Sequence, residues 1–278
     1  MRRLALLLVA TLAVALGGCA TAAPPALEVS IVQSRDDRGA RIVGISVENL
    51  GDETVRLVSA ELLTPQFAEP ARWEKGTDLR PGTTVALRVP LGHAVCPLPA
   101  DAEPRVRVVV ETSGTTQEIT VTPEQPAEVL AAVAGEDCLA AGLSRHATVT
   151  ATALRTGAPG EPATLALTIE PTGAAGTLDI LAVSSTVLFA IEDAGALVQR
   201  RPLALHIDAD SPADTLEVRL VPNRCDPHAV AEDKRGTFLP LEIATSEGDA
   251  GTVYVAVDDG IRGALYAFVG SYCGTNEG

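Results

Sequence analysis

The chain has 278 residues, a formal net charge of −15 and 46% hydrophobic residues, but only 3% aromatics. So acidic a body argues against nucleic acid and anionic lipid as partners. With a single tryptophan and three tyrosines, it also lacks material for the stacking platforms of a carbohydrate-binding surface.

Arg2 and Arg3 precede an apolar run from Leu4 to Leu16. The run is shorter than the ~20 residues a spanning helix needs, and with its basic flank it predicts a secretory signal over residues 1–18. It ends in Leu16-Gly17-Gly18-Cys19, which resembles the lipobox of bacterial lipoproteins. Lysine is confined to Lys75 and Lys234 while Arg, Ala, Gly and Val abound, and that composition resembles lipoproteins of high-GC Gram-positive bacteria. The resemblance implies cleavage before Cys19, acylation of its thiol, and a mature chain on the outer face of the cytoplasmic membrane. An ordinary signal cleaved after Ala20 or Ala23 is the alternative. Each buried methylene of an acyl chain contributes ~0.8 kcal/mol, so two or three chains suffice for anchoring. Losing Arg2 and Arg3 takes the net charge from −15 to −17. Residues 19–26, with Pro24 and Pro25, read as the lipidated tether.

From Leu27 the pattern has period two. Leu27, Val29 and Ile31 alternate with Glu28 and Ser30; Val43, Ile45 and Val47 alternate with Gly44, Ser46 and Glu48. Asp36-Asp37-Arg38-Gly39 and Asn49-Leu50-Gly51-Asp52-Glu53 are turns. Strands are predicted over 55–63, 83–90, around Val106, Val108 and Val110, and over 115–121. Residues 65–82 read as a long polar connection containing Trp73, expected to cap the open end of a sandwich. Such short, evenly spaced strands predict an immunoglobulin-like β-sandwich over 27–138. Pro123 to Ala134 predicts a short helix leading to Cys138, and 139–145 a linker.

The plan repeats over 146–273, with 274–278 as a tail. Val149, Ala151 and Ala153 alternate with threonines, and Leu165, Leu167 and Ile169 with Thr164, Thr168 and Glu170. Further strands are predicted over 177–191, 203–208, 215–221, 237–244 and 252–257. Asp258 is then placed to cap a helix running to Cys273. Val121 to Cys138 is 17 positions and Val257 to Cys273 is 16, which points to one unit used twice. The whole reads as all-β: two tandem immunoglobulin-like sandwiches, each ending in a short disulfide-tied helix.

Outside the cytoplasm the four body cysteines are expected to be oxidised. Of three possible connectivities, the repeat selects Cys96–Cys138 and Cys225–Cys273. The chain contains no Gly-x-Ser-x-Gly, P-loop, Gly-x-Gly-x-x-Gly, Cys-x-x-Cys or His-Glu-x-x-His motif. Two groups remain as candidate sites. His206, Asp208 and Asp210 would share one strand face with the ligand types for a divalent ion, although the polar face of a half-buried strand has the same alternation. The loop from Arg224 to Arg235, pinned by Cys225, offers Arg224, Asp226 and His228 for recognition, with Asp226 as a simple helix cap the plainer alternative. His93 and His146 read as turn and cap residues. The expectation is therefore a non-catalytic protein without cofactor, engaging an unidentified protein or envelope component; a metal- or small-solute-binding lipoprotein is the alternative.

Overall fold

The computed structural model describes residues 23–100, 103–124, 126–226, 228, 230 and 236–274. The signal, Cys19 and most of the loop from Arg224 to Arg235 therefore lie outside the described residues.

The first unit contains β1 (Leu27–Val32), α1 (Arg35–Arg38), β2 (Ile42–Asn49), β3 (Val55–Leu63), β4 (Ala71–Trp73), β5 (Thr77–Leu79), β6 (Thr84–Pro90), β7 (Arg105–Thr112) and β8 (Thr115–Val121). One sheet has the order β1-β2-β6, and the facing sheet β4-β3-β7-β8 with β5 also on β3. Every pairing is antiparallel. Chain-order strands one, two and six thus face three, seven and eight, the Greek-key arrangement of an immunoglobulin-like sandwich. The alternation places Val43, Ile45 and Val47 on one inner face and Val106, Val108 and Val110 on the other, all fully buried. Residues 65–82 are more structured than expected. They form β4 and β5, and Trp73 sits within β4 opposite Ala60, buried in the first core. The Asn49 side chain is wholly buried yet satisfied: its amide donates to the carbonyls of Glu53 (2.7 Å) and Leu79 (3.0 Å) and accepts from Gly51 N (3.0 Å). One amide so ties two turns together at the end of the sandwich where the chain enters.

The second unit contains β9 (Ala147–Arg155), β10 (Ala163–Pro171), β11 (Leu178–Ser184), β12 (Phe189–Asp193), β13 (Ala196–Val198), β14 (Arg200–Ile207), β15 (Asp214–Pro222), β16 (Leu239–Thr245) and β17 (Ala250–Val255). Its sheets are β13-β12-β15-β10-β9 and β14-β11-β16-β17. The framework matches the first unit, with an added β12–β13 hairpin extending the sheet beyond β15. The expected alternation of Val149, Ala151 and Ala153 fails at Ala153, which is exposed. A bulge pairs Ala166 with Ala153 but Leu167 with Ala151, so Thr152 is the extra residue and the facing of the strand is reset. The terminal helix α3 (Asp259–Tyr272) begins as predicted, with Asp258 Oδ1 accepting from Ile261 N at 2.7 Å. Leu265, Phe268 and Val269, at helical spacing, are buried in the second core. Phe268 stacks near Phe189 (centroids 6.4 Å apart) and meets Tyr272 edge-on. Each such buried side chain contributes roughly 1.5–3 kcal/mol.

Both disulfides pair as the repeat requires, Cys96 with Cys138 and Cys225 with Cys273. The first helix departs from expectation. It is not short, and residues 139–145 are not a linker: α2 runs unbroken from Pro126 to His146, 21 residues and ~31 Å. Leu130, Val133 and Ala134 belong to the first core, and Leu143 to the second. Leu139 packs against the second core as well. Apolar residues on both halves of the helix, each facing its own sandwich, keep it helical through the boundary. Cys138 therefore fastens the middle of α2, whereas Cys273 is the C-cap of α3. Among the described residues, no helix is long and apolar enough to cross a membrane.

Candidate functional site

Where α2 passes from one sandwich to the other, the domains leave a cleft of about 180 Å3. Domain one supplies Arg38 and Arg41, α2 supplies Val133 and Asp137, and domain two supplies Phe238 and Tyr254. Arg41 is the organising residue. It stands just ahead of β2 in left-handed backbone geometry, φ 54°, which costs a non-glycine residue of order 1 kcal/mol and persists only where surroundings enforce it. Its guanidinium donates to the Gly92 carbonyl (3.1 Å) and to Asp137, while its carbonyl accepts from Leu91 N (2.9 Å). One residue so joins α1, the segment after β6, and α2. Its Nε is buried and has no hydrogen-bond partner among the described residues.

Asp137 is three-quarters buried, and that burial pushes its carboxyl above the usual range, against the pull of Arg41 and with the repulsion of Glu136 added. Asp137 and Arg41 neutralise one another. Arg38 is exposed. The nearby Asp37, by contrast, is buried and bonded to Arg88 and to Ser34 Oγ (2.8 Å), which hold its carboxyl below the usual range. The rest of the lining is mixed: Gln33, Glu136 and Thr252 are polar, and Val133, Ala140, Phe238, Val253 and Tyr254 add apolar surface.

At its C-terminal end α2 is held by a second polar contact. His146 is buried, not a surface cap residue as expected, and its Nε2 lies 3.0 Å from Glu247 Oε2 in the β16–β17 turn. That bond, with one from the backbone N–H of Glu247, holds the Glu247 carboxyl down at about 2. Gly176 closes over the pair with φ +100°; a Cβ there would lie 2.9 Å from His146 Cε1 and 2.6 Å from Ser246 Oγ. Only glycine suits this turn.

The two groups singled out from sequence are placed elsewhere. His206 lies on β14, with Nδ1 2.7 Å from Asp179 Oδ1 on β11. Asp208 and Asp210 do not continue that strand face, because β14 stops at Ile207 and the two carboxylates fall in the following turn. Asp208 Oδ1 accepts from Ser211 Oγ (2.7 Å) and Asp210 N (3.1 Å), and these bonds lower its pKa. It shapes the turn. Among the described residues no group of three His, Cys, Asp or Glu side chains is placed to hold a metal ion. In the Cys225 loop, Asp226 Oδ1 accepts from His228 N at 3.0 Å, the local capping contact; Arg224, Asp226 and His228 are all exposed.

No family model matches the chain, and no curated protein matches its sequence. Among solved structures it is similar to red sea bream transglutaminase (13% identity, TM-score 0.23), covering 84% of this chain and 31% of that one. The chain thus spans about a third of that enzyme's length. It is also similar to the YadV chaperone (11% identity, TM-score 0.20, 77% and 92% covered) and to CBD12 from CALX1.2 (9%, 0.21, 80% and 95%). Likenesses this slight say nothing about chemistry. What the strands themselves define is a tandem of two immunoglobulin-like β-sandwiches joined by a shared helix. Its particular character is the charged, partly apolar cleft at that junction.

Proposed function

We propose that this chain is a lipid-anchored extracytoplasmic protein with a non-catalytic binding or scaffold role at the cell envelope. The observation that carries the reading is the placement of the cleft relative to the chain's entry. Ala26 is held at one end of the first sandwich, its carbonyl accepting from Leu50 N at 2.9 Å. Arg41 and the cleft lie at the other end of β2, eight residues or ~25 Å away. An acyl anchor on Cys19 would leave the cleft standing off the membrane, where a partner or solute could reach it. The sequence Leu16-Gly17-Gly18-Cys19 supports the anchor, and the acidic body supports a chain repelled by an anionic surface.

Fractionation of cells expressing the wild type and Cys19→Ala tests the anchor. The wild type is expected in the membrane fraction with an acylated N-terminal peptide by mass spectrometry, and Cys19→Ala as a soluble, uncleaved or aberrantly cleaved product. A correctly processed Cys19→Ala protein still held on the membrane overturns the anchor. A small solute as the ligand is the second reading, favoured by the partly open cleft of about 180 Å3. Equilibrium dialysis with Ca, Zn and Cu separates it from a metal-binding role, which stoichiometric uptake would restore.

A further inference from the structure

We propose that a second hollow, between α3 and the β9–β10 connection, binds a compact uncharged molecule with an apolar body about two rings in size and a neutral polar group. The site adds to the envelope role above and does not depend on the anchor.

The hollow measures about 390 Å3 against about 180 Å3 for the interdomain cleft, within the ~300–1,000 Å3 of small-molecule sites. A cavity of ~150 Å3 takes one benzene ring, so this one admits a two-ring body. Leu154 and the loop from Thr156 to Pro159 line one side; α3 lines the other with Ala264, Ala267, Phe268, Ser271 and Tyr272. Every one of these residues is uncharged at neutral pH. The charged neighbours in the loop are engaged locally, Arg155 with Glu217 and Glu161 with Ala158 N (3.2 Å). Phe268 and Tyr272 meet edge-on, centroids 5.7 Å apart, and give an apolar body a wall. Thr156, Ser271 and Tyr272 carry hydroxyls that suit a neutral polar group. A charged ligand would give up water here for no opposite charge.

The repeat shows how this surface was altered. Leu130, Val133 and Ala134 stand eight, five and four positions ahead of Cys138, as Leu265, Phe268 and Val269 stand ahead of Cys273. The two helices are therefore in register, and each lines its hollow together with the connection between the first two strands of its unit. On that register Val133, Glu136 and Asp137 correspond to Phe268, Ser271 and Tyr272. The first unit closes the position with the ion pair of Asp137 on Arg41 and with side chains of domain two. The second unit has neither acid and places an aromatic ring and two hydroxyls there, beside the larger hollow. An ion pair exchanged for aromatic wall at the same point marks the site as one for an uncharged ligand.

The probes are naphthylmethanol, naphthoate and naphthylmethylamine, substituted at one ring position and titrated into the full-length protein by calorimetry and NMR. The alcohol is expected to bind about tenfold more tightly than either ion, which has no opposite charge to meet in the site. Its binding should shift the methyl signals of Ala264 and Ala267. Ser271→Glu, at an exposed position, restores the acid of the first unit and should cancel the lead of the alcohol over the amine while widening its lead over the carboxylate. Ala264→Trp, also exposed, should fill the hollow and abolish binding of all three. Circular dichroism checks the fold of each variant. Absence of alcohol binding, equal or tighter binding of an ion, shifts confined to other methyls, or undiminished binding in Ala264→Trp overturns the proposal. So does a second copy of the chain seated on α3, seen as a concentration-dependent dimer that Ala264→Trp disperses. Fractionation reads the anchor separately, so failure here leaves the envelope role standing.

Discussion

Removing the Cys96–Cys138 bridge, by Cys96→Ala with Cys138→Ala, is expected to loosen α2 from one end only. The bridge spans 42 positions, and the chain-entropy relation for a loop of that length puts its contribution at roughly 4 kcal/mol. For a unit of about one hundred residues this lowers the first unfolding transition by about 20 °C. The loss is not shared evenly along the helix. Residues 128–134 pack on the first core, through Leu130, Val133 and Ala134. Residues 139–146 are held by the second, through Leu139 and Leu143, and by the contact between His146 and Glu247. Amide hydrogen exchange resolves the two halves. In the double variant, exchange around Leu130 to Ala134 and in the first-domain strands should quicken by about a thousandfold, the equivalent of ~4 kcal/mol. Exchange from Leu139 to His146 should change little. Uniform loss of protection from residue 126 to 146 would refute the division of the helix between two cores, and unchanged protection in the first domain would refute the entropic estimate.

Two further outcomes follow from contacts in the second domain. The Glu247 carboxyl is lowered from its usual 4.5 to about 2 in the folded protein, so its contribution is complete above about pH 4.5 and is lost as pH falls toward 2; in acid melts, Glu247→Gln should be less stable than wild type above that window and show a flatter pH dependence within it, and identical profiles would show that the pair is idle. Asp258→Ala removes the side-chain acceptor of Ile261 N and is expected to cost about 1 kcal/mol by denaturant titration, with the helix signal in circular dichroism reduced; a change below ~0.3 kcal/mol would mean that packing of Leu265, Phe268 and Val269 alone sets the helix start.

Sequence by itself determined whatever depends on neighbours along the chain. Strand faces were legible because side chains alternate with a strict period of two, so Val43, Ile45 and Val47 could be assigned to the interior before any fold was known. The cap at Asp258 was legible because a carboxylate preceding a helix satisfies an amide only three residues on. The disulfide pairing was legible because a repeated unit places its two cysteines in equivalent positions. Tertiary structure decided whatever joins residues far apart. Local signals around residues 139–145, with Gly142 among them, favour a break, and only apolar contacts to the second sandwich extend α2 through them. One added residue at Thr152 turned Ala153 outward, a bulge visible only against β10. Asp208 and Asp210 left the strand face because pairing with β11 gives out at Ile207. Arg41 and Asp137 stand 96 positions apart, and His146 and Glu247 stand 101 apart. No local pattern marks such pairs, since a salt bridge or a buried histidine is chosen by the packing that excludes water around it, and the cleft beside Arg41 and Asp137 exists only once two sandwiches are set against one helix.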